Sequence, residues 1–159
     1  MHAWSGLMSL HKRVFYLSIL AVLYTAILFM AATPSNAELE QCGMLDPSYR
    51  PDPAAIATLQ QVEQPTEIVV FYGAWCTDSH REIPRFLKII ETVNNQNIIV
   101  TDYGVNRQKQ DELGKFEIYG IEFVPTFIVI RNGIELGRII ERPDRSLAED
   151  LAAIMSSKN

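Results

Sequence analysis

Cys76 lies between a predicted strand and a predicted helix, a position that makes a thiol reactive. Cys76 follows the apolar run 68–72, which is typical of a buried strand, and precedes residues 80–92, which have helical periodicity. Backbone N–H groups and the dipole at the start of a helix favour an anion, so they stabilise a thiolate there. This placement predicts a nucleophile that attacks a disulfide sulfur and forms a mixed disulfide. The alternative is a cysteine kept only as a small buried apolar group.

Ser79 occupies the position where a second cysteine would close a Cys-x-x-Cys pair. A serine hydroxyl forms no disulfide, so Ser79 cannot resolve a mixed disulfide on Cys76. Its hydroxyl either hydrogen-bonds the Cys76 thiolate and favours it, or belongs to an ordinary serine in the first turn of a helix. The sequence does not separate these alternatives.

Three neighbours of Cys76 are candidates for adjusting its thiol. Trp75 is expected to border the thiol and contact a partner, or else to pack as an ordinary core residue. The Asp78 carboxylate near Cys76 would disfavour the Cys76 thiolate. The alternative is an ordinary acid in the first turn of the helix, which the helix dipole favours. His80 lies one helical turn on and favours the thiolate when protonated; the alternative is a solvated histidine. Thr77 or Asp78 is predicted to cap this helix.

Cys42 is the only other cysteine in the sequence. An even number of cysteines in an exported protein often indicates a disulfide, so Cys42 is a candidate thiol for resolving or blocking Cys76. Such a bond requires the two Cα atoms to come within about 7 Å. The alternative is a free or partner-linked thiol on an N-terminal arm.

Length and composition are those of one globular domain with a core of its own. The chain has 159 residues, of which 48% are hydrophobic, and a formal net charge of −5. This acidic balance argues against nucleic-acid binding. Its histidines and cysteines have no metal-ligand spacing, so neither a metal nor a cofactor is expected.

The first 37 residues have the pattern of a secretory signal. Lys12 and Arg13 precede the apolar segment 14–32, and Ser35 and Ala37 provide the small residues that signal peptidase requires. Cleavage is predicted after Ala37. The alternative is an uncleaved membrane anchor formed by residues 14–32. Either alternative predicts an exported, periplasmic or extracytoplasmic domain, with an extended lead-in at 38–53 and a folded part at 54–159.

Helices and strands alternate along the folded part. Strands separated by helices predict parallel pairing, and Asn132-Gly133 predicts a hairpin with an antiparallel edge. Pro84 is expected to kink its helix, and Ser146 with Glu149 to cap the last one. The predicted order is helix 54–62, strand 68–72, helix 77 to about 94, strand 97–101, helix 107–116, strand 127–130, strand 134–140 and helix 147–155.

This arrangement resembles the thioredoxin fold, an α/β fold with a central mixed sheet flanked by helices and a C-terminal β-hairpin and helix. The resemblance rests on the strand before the site, on Trp-Cys-x-x-Ser, on Val-Pro-Thr-Phe at 124–127, and on the hairpin. It implies that Pro125 is cis and lies against Cys76. It also implies that Val124, Pro125 and Thr126 form the platform that binds an extended substrate. Within that family the chain is similar to secreted proteins with Trp-Cys-x-Asp-Ser.

These observations predict an exported thiol–disulfide oxidoreductase that acts through one nucleophilic cysteine. Its partners would be thiols and disulfides of proteins or small molecules. Contact with a membrane is expected only through an uncleaved anchor. A second hypothesis is a redox-inactive module that binds peptides or proteins. A third and weaker hypothesis is a peroxidase, which would form a sulfenic acid on Cys76.

Overall fold

The computed structural model describes residues 42–43 and 46–157, and the predicted signal segment lies outside them. Four helices and four strands form in this part of the chain. Their bounds are α1 Pro53–Gln60, β1 Thr66–Tyr72, α2 Thr77–Val93, β2 Ile98–Gly104, α3 Lys115–Ile118, β3 Thr126–Arg131, β4 Ile134–Ile140 and α4 Leu147–Ser156.

The four strands form one mixed sheet in the order β2-β1-β3-β4. β1 and β2 are parallel along their whole length, as predicted, and β3 and β4 form the antiparallel hairpin. Parallel pairing is wrong for β3, which runs antiparallel to β1. The chain leaves β2 at Gly104, beside Tyr72 at the end of β1, and β3 starts at Thr126 opposite Phe71. The connection therefore stays at one end of the sheet, and β3 must run back from there.

The central strand β1 is buried on both faces. Its even-numbered residues 68, 70 and 72 pack in a core with α1, α2 and α4. Val69 and Phe71 pack on the other face, where Phe71 stacks on Tyr103 with ring centroids 5.0 Å apart. A strand covered on both faces is apolar at every position, which explains the unbroken apolar run in the sequence.

The predicted helix at 107–116 is wrong. Only α3, Lys115–Ile118, is helical, and residues 106–114 form turns. The Asn106 side chain accepts hydrogen bonds from the backbone N–H groups of Gln108 and Gln110, and Asp111 accepts from Phe116 N–H. Asn and Asp side chains compete in this way with helical hydrogen bonds, so the segment folds into side-chain-stabilised turns.

The predicted turn and cap near the C-terminus are confirmed. Asn132 and Gly133 both have positive φ, as a two-residue hairpin turn requires. The Ser146 side chain accepts a hydrogen bond from Glu149 N–H, and its hydroxyl donates to the Glu149 carboxylate at 2.7 Å. Within residues 42–43 and 46–157, no helix has the length and apolar character needed to cross a membrane.

Candidate active site

Cys76 is the N-cap residue of α2. Its backbone is extended (φ −96°, ψ 124°), its side chain makes no capping bond, and its thiol is half-buried. The prediction that Thr77 or Asp78 caps the helix is therefore wrong, because the helical conformation already begins at Thr77. The Cys76 thiol donates a hydrogen bond to the Val124 carbonyl oxygen, with Sγ and O 3.1 Å apart. The positive end of the α2 dipole and the unpaired N–H groups of its first turn favour negative charge at this sulfur.

The segment that faces Cys76 is held at both of its ends. Val124 and Pro125 are buried and joined by a cis peptide bond, which confirms the prediction made from the resemblance. The Pro125 carbonyl accepts a hydrogen bond from Glu141 N–H at 2.7 Å, and the buried Thr126 hydroxyl donates to Phe123 O at 2.7 Å. These contacts fix the position of the Val124 carbonyl at the thiol. Substrate binding by residues 124–126 stays a prediction.

Trp75 is anchored to the loop that follows β2. Its indole N–H donates to the Val105 carbonyl at 2.9 Å, and the Arg107 guanidinium lies 5.6 Å from the ring centroid. Gly73 permits this packing, because a Cβ at that position would lie 2.8 Å from Cε2 of Trp75. The half-buried Trp75 is thereby held in place beside Cys76, and its contact with a partner stays a prediction.

Ser79 is buried beneath the active-site loop. Its hydroxyl oxygen accepts a hydrogen bond from Gly73 N–H, with N and Oγ 3.2 Å apart. The described hydrogen bond of Ser79 thus ties the start of α2 to the end of β1. A hydrogen bond from Ser79 to the Cys76 thiolate stays a prediction.

Asp78 is paired with two arginines. Arg81, one turn further along α2, hydrogen-bonds its carboxylate, and Arg142 lies 3.3 Å from the same oxygen. The hydrogen bond from Arg81 is the main cause that lowers the pKa of Asp78 below its ordinary value. Because two guanidinium groups compensate the carboxylate, Asp78 opposes a thiolate on Cys76 less than an unpaired acid would.

Sequence analysis missed the buried carboxylate of Glu82. This side chain is only 2% exposed and is paired with Arg81 at 2.6 Å and Arg85 at 3.3 Å. Its Oε2 atom has no hydrogen-bond partner among the described residues. Arginines one residue before and three residues after an acid on a helix are a signal for such a cluster, but its burial depends on the packing around α2.

Cys42 lies in the main hydrophobic core rather than on a free arm. Its side chain is 1% exposed, and neither Cys42 nor Cys76 forms a disulfide in this structure. Burial, together with the nearby charge of Cys76, raises the pKa of the Cys42 thiol from 9.0 to about 11. Both causes disfavour the thiolate of Cys42.

His80 joins the segment of Cys42 to the active-site loop. Its Nδ1 atom lies 2.8 Å from the Cys42 carbonyl oxygen, and its Nε2 atom lies 2.6 Å from the Ala74 carbonyl oxygen. The residue is exposed to solvent, as expected for a surface histidine. Its two contacts nevertheless give it a structural role that spacing along the sequence does not indicate.

No described group of three or more His, Cys, Asp or Glu residues is arranged to hold a metal ion. The reactive groups that the structure places at or near this site are the thiols of Cys76 and Cys42, with polar backbone groups around Cys76.

The chain belongs to the thioredoxin family: the family model described as Thioredoxin matches residues 30–153. This match confirms the resemblance and the fold class. Membership of the family indicates a function of redox type, with thiols or proteins as substrates.

Solved structures similar to this chain share little sequence identity with it. Trxlp from Edwardsiella tarda EIB202 is 19% identical, with coverage of 67% of this chain and 96% of that one and a TM-score of 0.47. A protein of unknown function from Pseudomonas aeruginosa is 22% identical, with coverage of 76% and 69% and a TM-score of 0.46. Thioredoxin f2 from Chlamydomonas reinhardtii is 19% identical, with coverage of 62% and 83% and a TM-score of 0.41. No curated protein matches the chain.

Proposed function

We propose that this chain is an exported thiol–disulfide oxidoreductase in which Cys76 is the residue that attacks the substrate disulfide. The observation that carries the proposal is the position of its half-buried thiol, at the N-terminus of α2 and 3.1 Å from the Val124 carbonyl beside cis-Pro125. The N-terminus of the helix favours negative charge at this sulfur, and the half-buried thiol is open on one side to a partner.

The reaction begins when the Cys76 thiol loses its proton to solvent. The thiolate attacks one sulfur of a disulfide R–S–S–R′, so that a bond forms between Cys76 and RS while R′S⁻ leaves. A second thiol then attacks the substrate sulfur of this mixed disulfide, forms a new disulfide with RS and releases the Cys76 thiolate. This cycle exchanges or isomerises disulfides with no net change in the oxidation state of the protein.

Export is the second part of the proposal, and it rests on the basic residues, apolar segment and small residues of positions 12–37. An oxidising compartment provides protein disulfides as substrates. Expression of the full chain followed by intact-mass analysis tests this part. The expected product begins at Glu38 and is recovered outside the cytoplasm, whereas a full-length chain in the membrane fraction would favour the anchor.

Glutathione disulfide tests the nucleophile. The Cys42→Ala chain should gain one glutathionyl group on Cys76, located by peptide mapping, and the Cys76→Ser chain should gain none. Cys42→Ala is the chain to modify, because it removes the buried thiol and leaves the attacking one. If Cys76→Ser is modified like Cys42→Ala, or if Cys42→Ala is never modified, the proposal is wrong. Unimpaired partner binding by Cys76→Ser would then favour the redox-inactive binding module.

A further inference from the structure

The described contacts bring Cys42 to the active-site side of α2. The imidazole of His80 lies between the carbonyl of Cys42 and the carbonyl of Ala74, two residues before Cys76. Both ring nitrogens face carbonyl oxygens, which only accept hydrogen bonds. Only the protonated ring has an N–H on each nitrogen, so that form holds both carbonyls at once. His80 thereby links the residue that carries one thiol to the loop that carries the other.

The environment of Cys42 is that of a thiol that reacts only in the second step, after Cys76 has attacked the substrate disulfide. Its side chain is 1% exposed and packs in the main core, so a bulky disulfide in solution cannot reach it. The half-buried Cys76 is the accessible thiol of the described region. Ionisation of Cys42 is opposed by burial and by Cys76, so Cys42 is a poor competitor for the first attack.

The Cys-x-x-Ser motif provides no second sulfur of its own. The Ser79 hydroxyl, at the position of a resolving cysteine, accepts a hydrogen bond from Gly73 N–H instead. Cys42 is the only other cysteine in the sequence. An internal second attack in this chain must therefore come from Cys42.

We propose that Cys42 is the resolving thiol of this site and that His80 is the residue that positions it. This inference rests on the proposed attack by Cys76. The Cys42 sulfur attacks the Cys76 sulfur of the mixed disulfide, a bond forms between the two cysteines, and the partner leaves as a thiol that takes the proton of Cys42. The two protein thiols are oxidised by two electrons, and the partner disulfide is reduced to two thiols. A dithiol protein or small-molecule thiols then reduce the Cys42–Cys76 disulfide.

An aryl disulfide that releases a coloured thiolate, 5,5′-dithiobis(2-nitrobenzoate), tests the resolving step in the reduced full chain. The wild type should release two equivalents of thiolate, retain no aryl adduct and lose the mass of two hydrogens. Cys42→Ala should release one equivalent and keep the adduct on Cys76. At about 10 µM protein, an internal thiol with an effective concentration of about 1 mM should resolve the adduct about a hundredfold faster than another protein molecule does.

Each result separates the inference from the proposed function. A wild-type chain that releases one equivalent and keeps the adduct overturns the role of Cys42, while leaving attack by Cys76 intact. If the Cys76→Ser chain still releases the coloured thiolate, the proposed function itself is wrong. The wild-type masses decide the question even if Cys42→Ala folds poorly, and Cys42→Ser provides a second variant whose fold is checked by near-ultraviolet circular dichroism.

His80→Ala tests the positioning role by comparing the two steps of the same reaction. The rate of release of the second thiolate, divided by the rate of release of the first in the same variant, should fall by roughly tenfold or more relative to the wild type. Lys88→Ala provides the matched control, because Lys88 lies further along α2 and is ion-paired with Glu91. If both steps slow by the same factor, or if neither step slows, His80 has no positioning role.

Discussion

Replacing Ser79 with alanine tests whether the active-site loop depends on one buried hydrogen bond. Ser79 is fully buried, and its hydroxyl accepts from Gly73 N–H at 3.2 Å. Alanine removes the acceptor and leaves a buried backbone donor unpaired, which costs about 1–3 kcal/mol. The expected result is a decrease of this size in the free energy of unfolding.

Urea denaturation at neutral pH measures the loss, and Ser156→Ala provides the control. The Ser156 hydroxyl donates to a helix carbonyl at the exposed end of α4, so water replaces it at a cost below about 0.5 kcal/mol. If Ser79→Ala is no less stable than Ser156→Ala, the hydrogen bond to Gly73 does not hold the loop.

The same Ser79→Ala variant separates two roles of the hydroxyl. If the oxygen serves only Gly73, the variant loses stability while Cys76 reacts with glutathione disulfide at the wild-type rate. If it also hydrogen-bonds the Cys76 thiolate, which is one of the two alternatives that the sequence leaves open, removing it disfavours the thiolate and the reaction slows as well. Rates are compared well below the urea concentration at which the variant begins to unfold.

Three further predictions concern Cys42, Gly73 and Glu82. The pKa of Cys42 is raised from 9.0 to about 11, so its contribution to stability is complete below about pH 9 and is lost as the pH rises through about 11. The wild type should therefore lose up to about 3 kcal/mol more than Cys42→Ala over this range in urea titrations, and equal losses contradict the shift. Gly73→Ala forces Trp75 to move, because the new Cβ would lie 2.8 Å from its ring; a changed tryptophan emission and a loss of about 1–3 kcal/mol are expected, and an unchanged spectrum argues against this packing. Glu82→Gln removes the buried charge between two half-exposed arginines and should cost about 1–3 kcal/mol, which an unchanged urea midpoint would contradict.

Local patterns in the sequence were sufficient for most of the elements. The apolar run of β1, the Asn132-Gly133 turn and the Ser146 cap depend on neighbouring residues, and all three form as predicted. The predicted helix at 107–116 failed because the side chains of Asn106 and Asp111 bind nearby backbone groups and stabilise turns instead. Periodicity does not report such competition.

The resemblance and the structure contributed different parts of the site. Trp-Cys-x-x-Ser and Val-Pro-Thr-Phe indicated that Cys76 and cis-Pro125 belong together, and the geometry confirms their proximity. β3 runs antiparallel to β1, so β3 begins at the end of the sheet where β1 ends. This direction explains why Pro125 lies close to Cys76. The prediction that strands separated by helices pair in parallel gave the wrong direction for β3 and so did not provide this explanation.

The sequence by itself determined which residue can be the nucleophile, since Cys76 lies between a buried strand and a helix and Ser79 excludes a resolving thiol in the motif. Only the tertiary structure decided what Ser79, His80 and Cys42 contact. Their partners are Gly73, the carbonyls of Ala74 and Cys42, and the main core. The physical reason is that a hydrogen bond or a buried position depends on which segments packing brings together. Cys42 and His80 meet only because residues 42–43 pack on α2.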